Sequence, residues 1–117
     1  ALPTNWPPGA ECVASHVLNT RAMENAVYFA AANRVGEERG FRFIGLSRIC
    51  GPDGSTLAAS KDDSETILYA EIDPARSRNK RVVREVGRHA IDRLADRRPD
   101  LYGALTEPHS LDRPGDR

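Results

Sequence analysis

Apolar residues at Val13, Val17, Leu18 and Ala22 recur at helical spacing and predict a helix over Glu11–Asn25. The pattern then changes at Val27-Tyr28-Phe29, continues through three alanines and ends on the polar pair Asn33-Arg34. This predicts a strand over Val27–Arg34, fed by the helix without a break. Alanine keeps the strand thin, so another layer can approach closely, and an apolar run of this kind is expected to be covered on both faces. Phe43–Ile49 alternates apolar and polar residues as a second strand. Gly51-Pro52-Asp53-Gly54 signals a turn, and Thr56–Ala59 pairs back as a hairpin. Glu65–Asp73 sets Ile67, Tyr69 and Glu71 on one face and Leu68, Ala70 and Ile72 on the other; both sets are mostly apolar, which predicts a central strand. Residues 36–42 and Lys61–Ser64 read as polar loops.

Beyond Pro74, which suits the first turn of a short helix, the character changes. Residues 76–98 hold nine of the 17 basic residues and three acids. Val82, Val83, Val86 and Ile91 are the apolar positions, and Gly87 weakens a continuous helix through them. Such a patch could bind RNA or other anions. Without interleaved aromatic residues it reads instead as a solvated or interface face, its arginines packing through their stems. Arg97–Gly103 reads as an extended segment closed by a small turn, and residues 104–117 as a polar, proline-rich tail.

Composition narrows the classes. The 117 residues suffice for one domain, and the formal net charge is zero, so the chain as a whole is no obvious nucleic-acid or membrane binder. No apolar run reaches membrane-spanning length, and the cytoplasm is the default location. Cys12 and Cys50 leave one disulfide open but make no disulfide framework. Ala1-Leu2-Pro3 reads as the tail of a buried strand with nothing before it, which suggests a chain cut out of something longer. In the loop over residues 3–10, Trp6 is fixed between Asn5 and Pro7 and reads, taken alone, as a packing anchor. His16 reads as a surface residue or a satisfied core histidine, and Arg21 with Glu24 as a buried structural pair rather than a solvated one, because the helix is expected to be covered on its inner side.

Five segments in this order resemble one family: LPTNWP at 2–7, RAMENAVYFAAANRVG at 21–36, FIGLSRICGPDGSTLA at 43–58, EIDPARSR at 71–78 and DRRPDLYG at 96–103. The ordered set is similar to the C-terminal part of the carbon–nitrogen hydrolase (nitrilase) superfamily, over residues 1–103. The resemblance implies an α+β fold, the C-terminal half of a layered α-β-β-α sandwich. It implies cleavage of a non-peptide amide, carbamoyl compound or nitrile by a Glu–Lys–Cys triad, without metal or cofactor. It further implies that Asn5 and Trp6 border the substrate pocket, Asn5 as a hydrogen-bonding amide and Trp6 as an aromatic wall, with Asn33 and Arg34 bracing the site.

The family's three catalytic residues precede the segment matching Leu2–Pro7, and neither Cys12 nor Cys50 fits the nucleophile's pattern. No triad residue is therefore assigned on this chain. As an isolated polypeptide it is expected to be inactive and to associate with the missing N-terminal half or with further copies. Family members commonly pair through the sandwich. The alternative is a non-catalytic binding or assembly module that retains the half-fold.

Overall fold

The computed structural model describes residues 1–108 and Ser110. Its centre is one mixed four-stranded sheet in the order β1-β2-β5-β6, formed by Leu2–Thr4, Phe29–Asn33, Arg48–Cys50 and Thr56–Ala59. β1 runs parallel to β2 with Thr4 opposite Asn33; β2–β5 and β5–β6 are antiparallel. Ahead of β2, a π-helical turn at Val13–Val17 runs into helix α1, Leu18–Asn25. The expected helix over Glu11–Asn25 is present, because Leu18 and Ala22 lie one turn apart and both are buried against the sheet. The passage into the strand is broken, however. Ala26 closes α1 in the left-handed conformation (φ 47°), its N–H donating to Ala22 and Met23.

Alternation along β2 decides what is covered. Ala31 packs with Leu18, Ala22 and Cys50 under α1, with Phe29 and Trp6 against that cluster. Ala30 and Ala32 point the other way, into an open apolar groove shared with Pro3, Ile49 and Ile67. The expectation of cover on both faces fails, since among the described residues only one helix layer meets this sheet. Ala1, Leu2 and Pro3 are exposed rather than buried for the same reason.

Further expectations change. Residues 36–42 are not simply a polar turn: Val35–Glu38 (β3) and Phe41–Ile44 (β4) form a hairpin that turns at Arg39-Gly40. Phe43–Ile49 is not one strand, because Gly45 and Leu46 adopt positive φ (60° and 56°) and separate β4 from β5. Glu65–Asp73 is not a paired strand; it joins no sheet among the described residues, and Ile67 and Tyr69 are 75% and 81% exposed. The basic segment is a second hairpin, Arg81–Glu85 (β7) with His89–Asp92 (β8), whose turn holds Gly87 at φ 73°. A short helix α2, Pro74–Arg78, precedes it as expected, and the Asp73 carboxylate caps α2 by accepting from the Ala75 N–H. Arg97–Gly103 is not extended throughout: a 3₁₀ turn, Pro99–Leu101, leads into α3, Gly103–Thr106. The tail expected over 104–117 thus begins with a helical turn, and residues 109 and 111–117 lie outside the described residues.

Candidate functional site

The polar pair that ends β2 sits where three loops converge. Asn33 is 9% exposed. Its Oδ1 accepts from the Trp6 N–H at 2.7 Å, and its Nδ2 donates to the Gly45 carbonyl at 2.6 Å and to the Trp6 carbonyl at 3.5 Å. Its own N–H donates to Ser47 Oγ at 2.9 Å. One amide side chain therefore ties the Thr4–Trp6 loop to the β4–β5 connection. Backbone bonds repeat the tie: Arg34 N–H donates to Thr4, Ile44 N–H to Trp6 and Gly45 N–H to Arg34, at 3.0–3.1 Å. Arg34 lays its guanidinium 4.9 Å from the Phe43 ring centroid and pairs with Glu38. Both residues of the pair hold neighbouring segments together.

Gly45 is required here. A Cβ on it would lie 2.8 Å from the Asp62 carbonyl oxygen and 2.8 Å from Asp63 Cα, on a backbone already at φ 60°. The close approach brings the 60–64 loop against the junction, where Leu46 N–H donates to Asp62 and Ser60 N–H to Ser47. A cavity of about 310 Å³ lies beside it, with Asn33, Ser47, Ser60, Ser64 and Glu65 in its wall. The contributions of Gly45, Ser47 and Ser60 were not anticipated. The usable signal was a glycine interrupting an alternating strand pattern, which marks a bulge or a close backbone approach.

Of the two residues expected at the pocket, Trp6 is half-buried and packs on the core cluster, while Asn5 is exposed. Asn5's side chain makes no hydrogen bond among the described residues, so its amide is available to another group. His16 is exposed. Arg21 and Glu24 form an ion pair with 62% and 41% of their side chains exposed, which corrects the expectation of a covered one.

Neither cysteine is among the hydrogen-bonding partners of this junction or in the wall of its cavity. Both are free; Cys12 is exposed and Cys50 fully buried. Burial pushes the Cys50 thiol up, with the Arg48 charge opposing, so it stays protonated as a small core hydrophobe. Among the described residues no group of three or more His, Cys, Asp or Glu converges as a metal site would require. No helix among them is long and apolar enough to cross a membrane.

A mixed sheet with one helix layer and a strand-end asparagine junction defines an α/β protein with a braced polar site, and comparison places it. The carbon–nitrogen hydrolase family model matches residues 7–82, and the chain belongs to that family. It is 40% identical over 89 residues to a nitrilase of Pyrococcus abyssi, covering 76% of this chain and 32% of that protein. It is 35% identical over 97 residues to an N-carbamoylputrescine amidase of Solanum tuberosum, covering 76% and 30% respectively. Among solved structures, an amidase from Nesterenkonia sp. AN1 matches with a TM-score of 0.56 at 28% identity, over 66% of this chain and 31% of that one. The chain thus spans about a third of the length of the curated relatives it matches.

Proposed function

We propose that this chain is the C-terminal segment of a carbon–nitrogen hydrolase acting on a small non-peptide amide, carbamoyl compound or nitrile, with the Glu–Lys–Cys machinery in residues other than these. The observation that carries the reading is the state of its two thiols: in a family member, one is sealed in the core and the other is an exposed residue in the first turn of a helix, with no hydrogen-bonded base beside either among the described residues. A cysteine at the active site is on record for the Nesterenkonia amidase, where acrylamide adds to it. In this reading a thiolate supplied by the rest of the enzyme attacks the substrate carbon. The carboxylate moves protons, and the lysine stabilises charge developing on the heteroatom.

The segment's own contribution is a pocket wall. Asn5 presents its amide to a polar substrate and Trp6 presents an aromatic face, while Asn33 fixes the loop that carries both. The four-stranded sheet forms one layer of an α-β-β-α sandwich, its open alanine face meeting a second sheet. Release of ammonia from a panel of small amides, carbamoyl compounds and nitriles tests this. The 117-residue chain alone should be inactive and the product of the complete reading frame active. Asn5→Ala and Trp6→Ala in the complete enzyme should each lower kcat/KM by about tenfold, the loss expected from one buried substrate contact. Turnover by the isolated chain, or an inactive complete product that self-associates through this face, would favour the binding-module alternative.

A further inference from the structure

The basic segment encloses a second cavity, of about 320 Å³, that the hydrolase reading leaves without a role. Four arginines line it: Arg76 from α2, Arg81 and Arg84 from β7, and Arg93 just after β8; Asp53 is the one acid in its wall. The ion pairs do not balance this charge. Arg76 pairs with Asp53 at 3.2 Å, and Arg93 reaches the Glu24 carbonyl with one nitrogen at 3.5 Å. Among the described residues, Arg81 and Arg84 have no hydrogen-bonded or ion-paired side-chain partner, and the buried Nε of Arg93 has no acceptor.

Helix α1 ends nearby and accounts for part of the cluster. Lys80 Nζ donates at 2.9 Å to the carbonyls of Asn25 and Ala26, which places a cation at the negative end of the helix. That explains Lys80 and one nitrogen of Arg93. It does not explain why Arg81 and Arg84 turn to the same cavity; Asp92 stands opposite Arg81 across the hairpin and feels its charge, which leaves Arg84, of the two, as the arginine with no acid paired to it among the described residues. A guanidinium presents a planar fork of donors that fits two oxygens of one anion. A compact oxyanion in this cavity gives Arg81 and Arg84 one shared counter-charge.

We propose that the cavity between α2, the β7–β8 hairpin and the end of α1 binds a compact oxyanion, a phosphate or carboxylate group, through Arg81, Arg84 and Arg93. The proposal is independent of the hydrolase reading, since it uses none of the residues assigned to the pocket wall.

Calorimetric titration of the full chain at constant ionic strength tests it, with inorganic phosphate in one arm and succinate in the other. Saturable one-to-one binding is expected in at least one arm, and the arm that responds distinguishes a phosphate from a carboxylate ligand. Arg84→Gln should weaken binding by about fivefold or more, and Arg84→Lys should weaken it less, because charge is kept while the fork is lost. Arg81→Gln serves as a second variant should Arg84→Gln perturb folding by circular dichroism. Arg88→Gln, beside the hairpin turn and outside this cavity, should leave binding unchanged. Failure to saturate in both arms at about 10 mM ligand, far weaker than an anion held by two guanidinium forks, would overturn the proposal. So would equal weakening by Arg88→Gln, which would show attraction to bulk charge.

Discussion

At the scale of single residues, Asn33 is the side chain whose loss should be felt most widely. Asn33→Ala leaves the Trp6 N–H without its acceptor and the Gly45 carbonyl without its side-chain donor. Unsatisfied buried groups of this kind cost about 1–3 kcal/mol each, so a loss of about 2–4 kcal/mol is expected in urea unfolding. Gly45→Ala should cost about 2–3 kcal/mol by the same measurement, through a disfavoured φ and collision with backbone that cannot swing away. The two cysteines should separate cleanly under a thiol reagent. Cys12 should be labelled in the native protein and Cys50 only after unfolding, because Cys50 has no solvent-accessible surface. Much at this scale was legible in advance. Asn33 and Arg34 stood out as a polar pair ending an apolar run, and Leu18 and Ala22 as the covered face of the helix. What Asn33 holds was not legible, because its partners lie 12–27 residues away in the chain.

Among the elements, local signals succeeded where the chain supplies its own partner. Helix α1, the Gly51–Gly54 turn, the Thr56–Ala59 return strand and the Pro74 helix start are all present. The 81–92 hairpin was missed because its valines and arginines fit either period until Gly87 is seen to turn rather than to weaken. The 60–64 loop carries a pH prediction. The Ser64 hydroxyl and N–H hold the Asp62 carboxylate below the usual range, and the Arg42 guanidinium does the same for Asp63. A carboxylate depressed in the folded state contributes stability above its unfolded pKa, near 4, and loses it as pH falls through the lower folded value. Amide exchange at Ser64 should therefore stay slow down to about pH 4 and accelerate, relative to a loop peptide, below it. Asp62→Asn should remove most of that pH dependence.

Across the whole molecule, the dimensions record a thin, spread-out chain of 51 × 46 × 19 Å. The radius of gyration is 18.4 Å, whereas a compact chain of this length has about 13 Å. The largest fully buried side chains are only Leu18 and Cys50, while Ile67, Tyr69 and Ile72 stand in solvent. This exposed apolar surface is the one that the second sheet of the proposed sandwich would cover. On the proposed hydrolase reading, adding the segment taken to precede this chain should give residues 65–73 strong amide protection as a paired strand; unchanged exchange there would contradict the sandwich reading.

The sequence by itself determined the family, the helix ahead of the sheet, the strand-end polar pair and the turns, because these depend on composition and on neighbours within a few residues. Only the tertiary structure decided that β2 is covered on one face, that Gly45 lets two loops touch, that Glu65–Asp73 is left unpaired and that four arginines surround one cavity. Those outcomes depend on which distant segments meet. An alternating pattern shows that a strand can be buried on both sides, but not whether the layer that buries it is present.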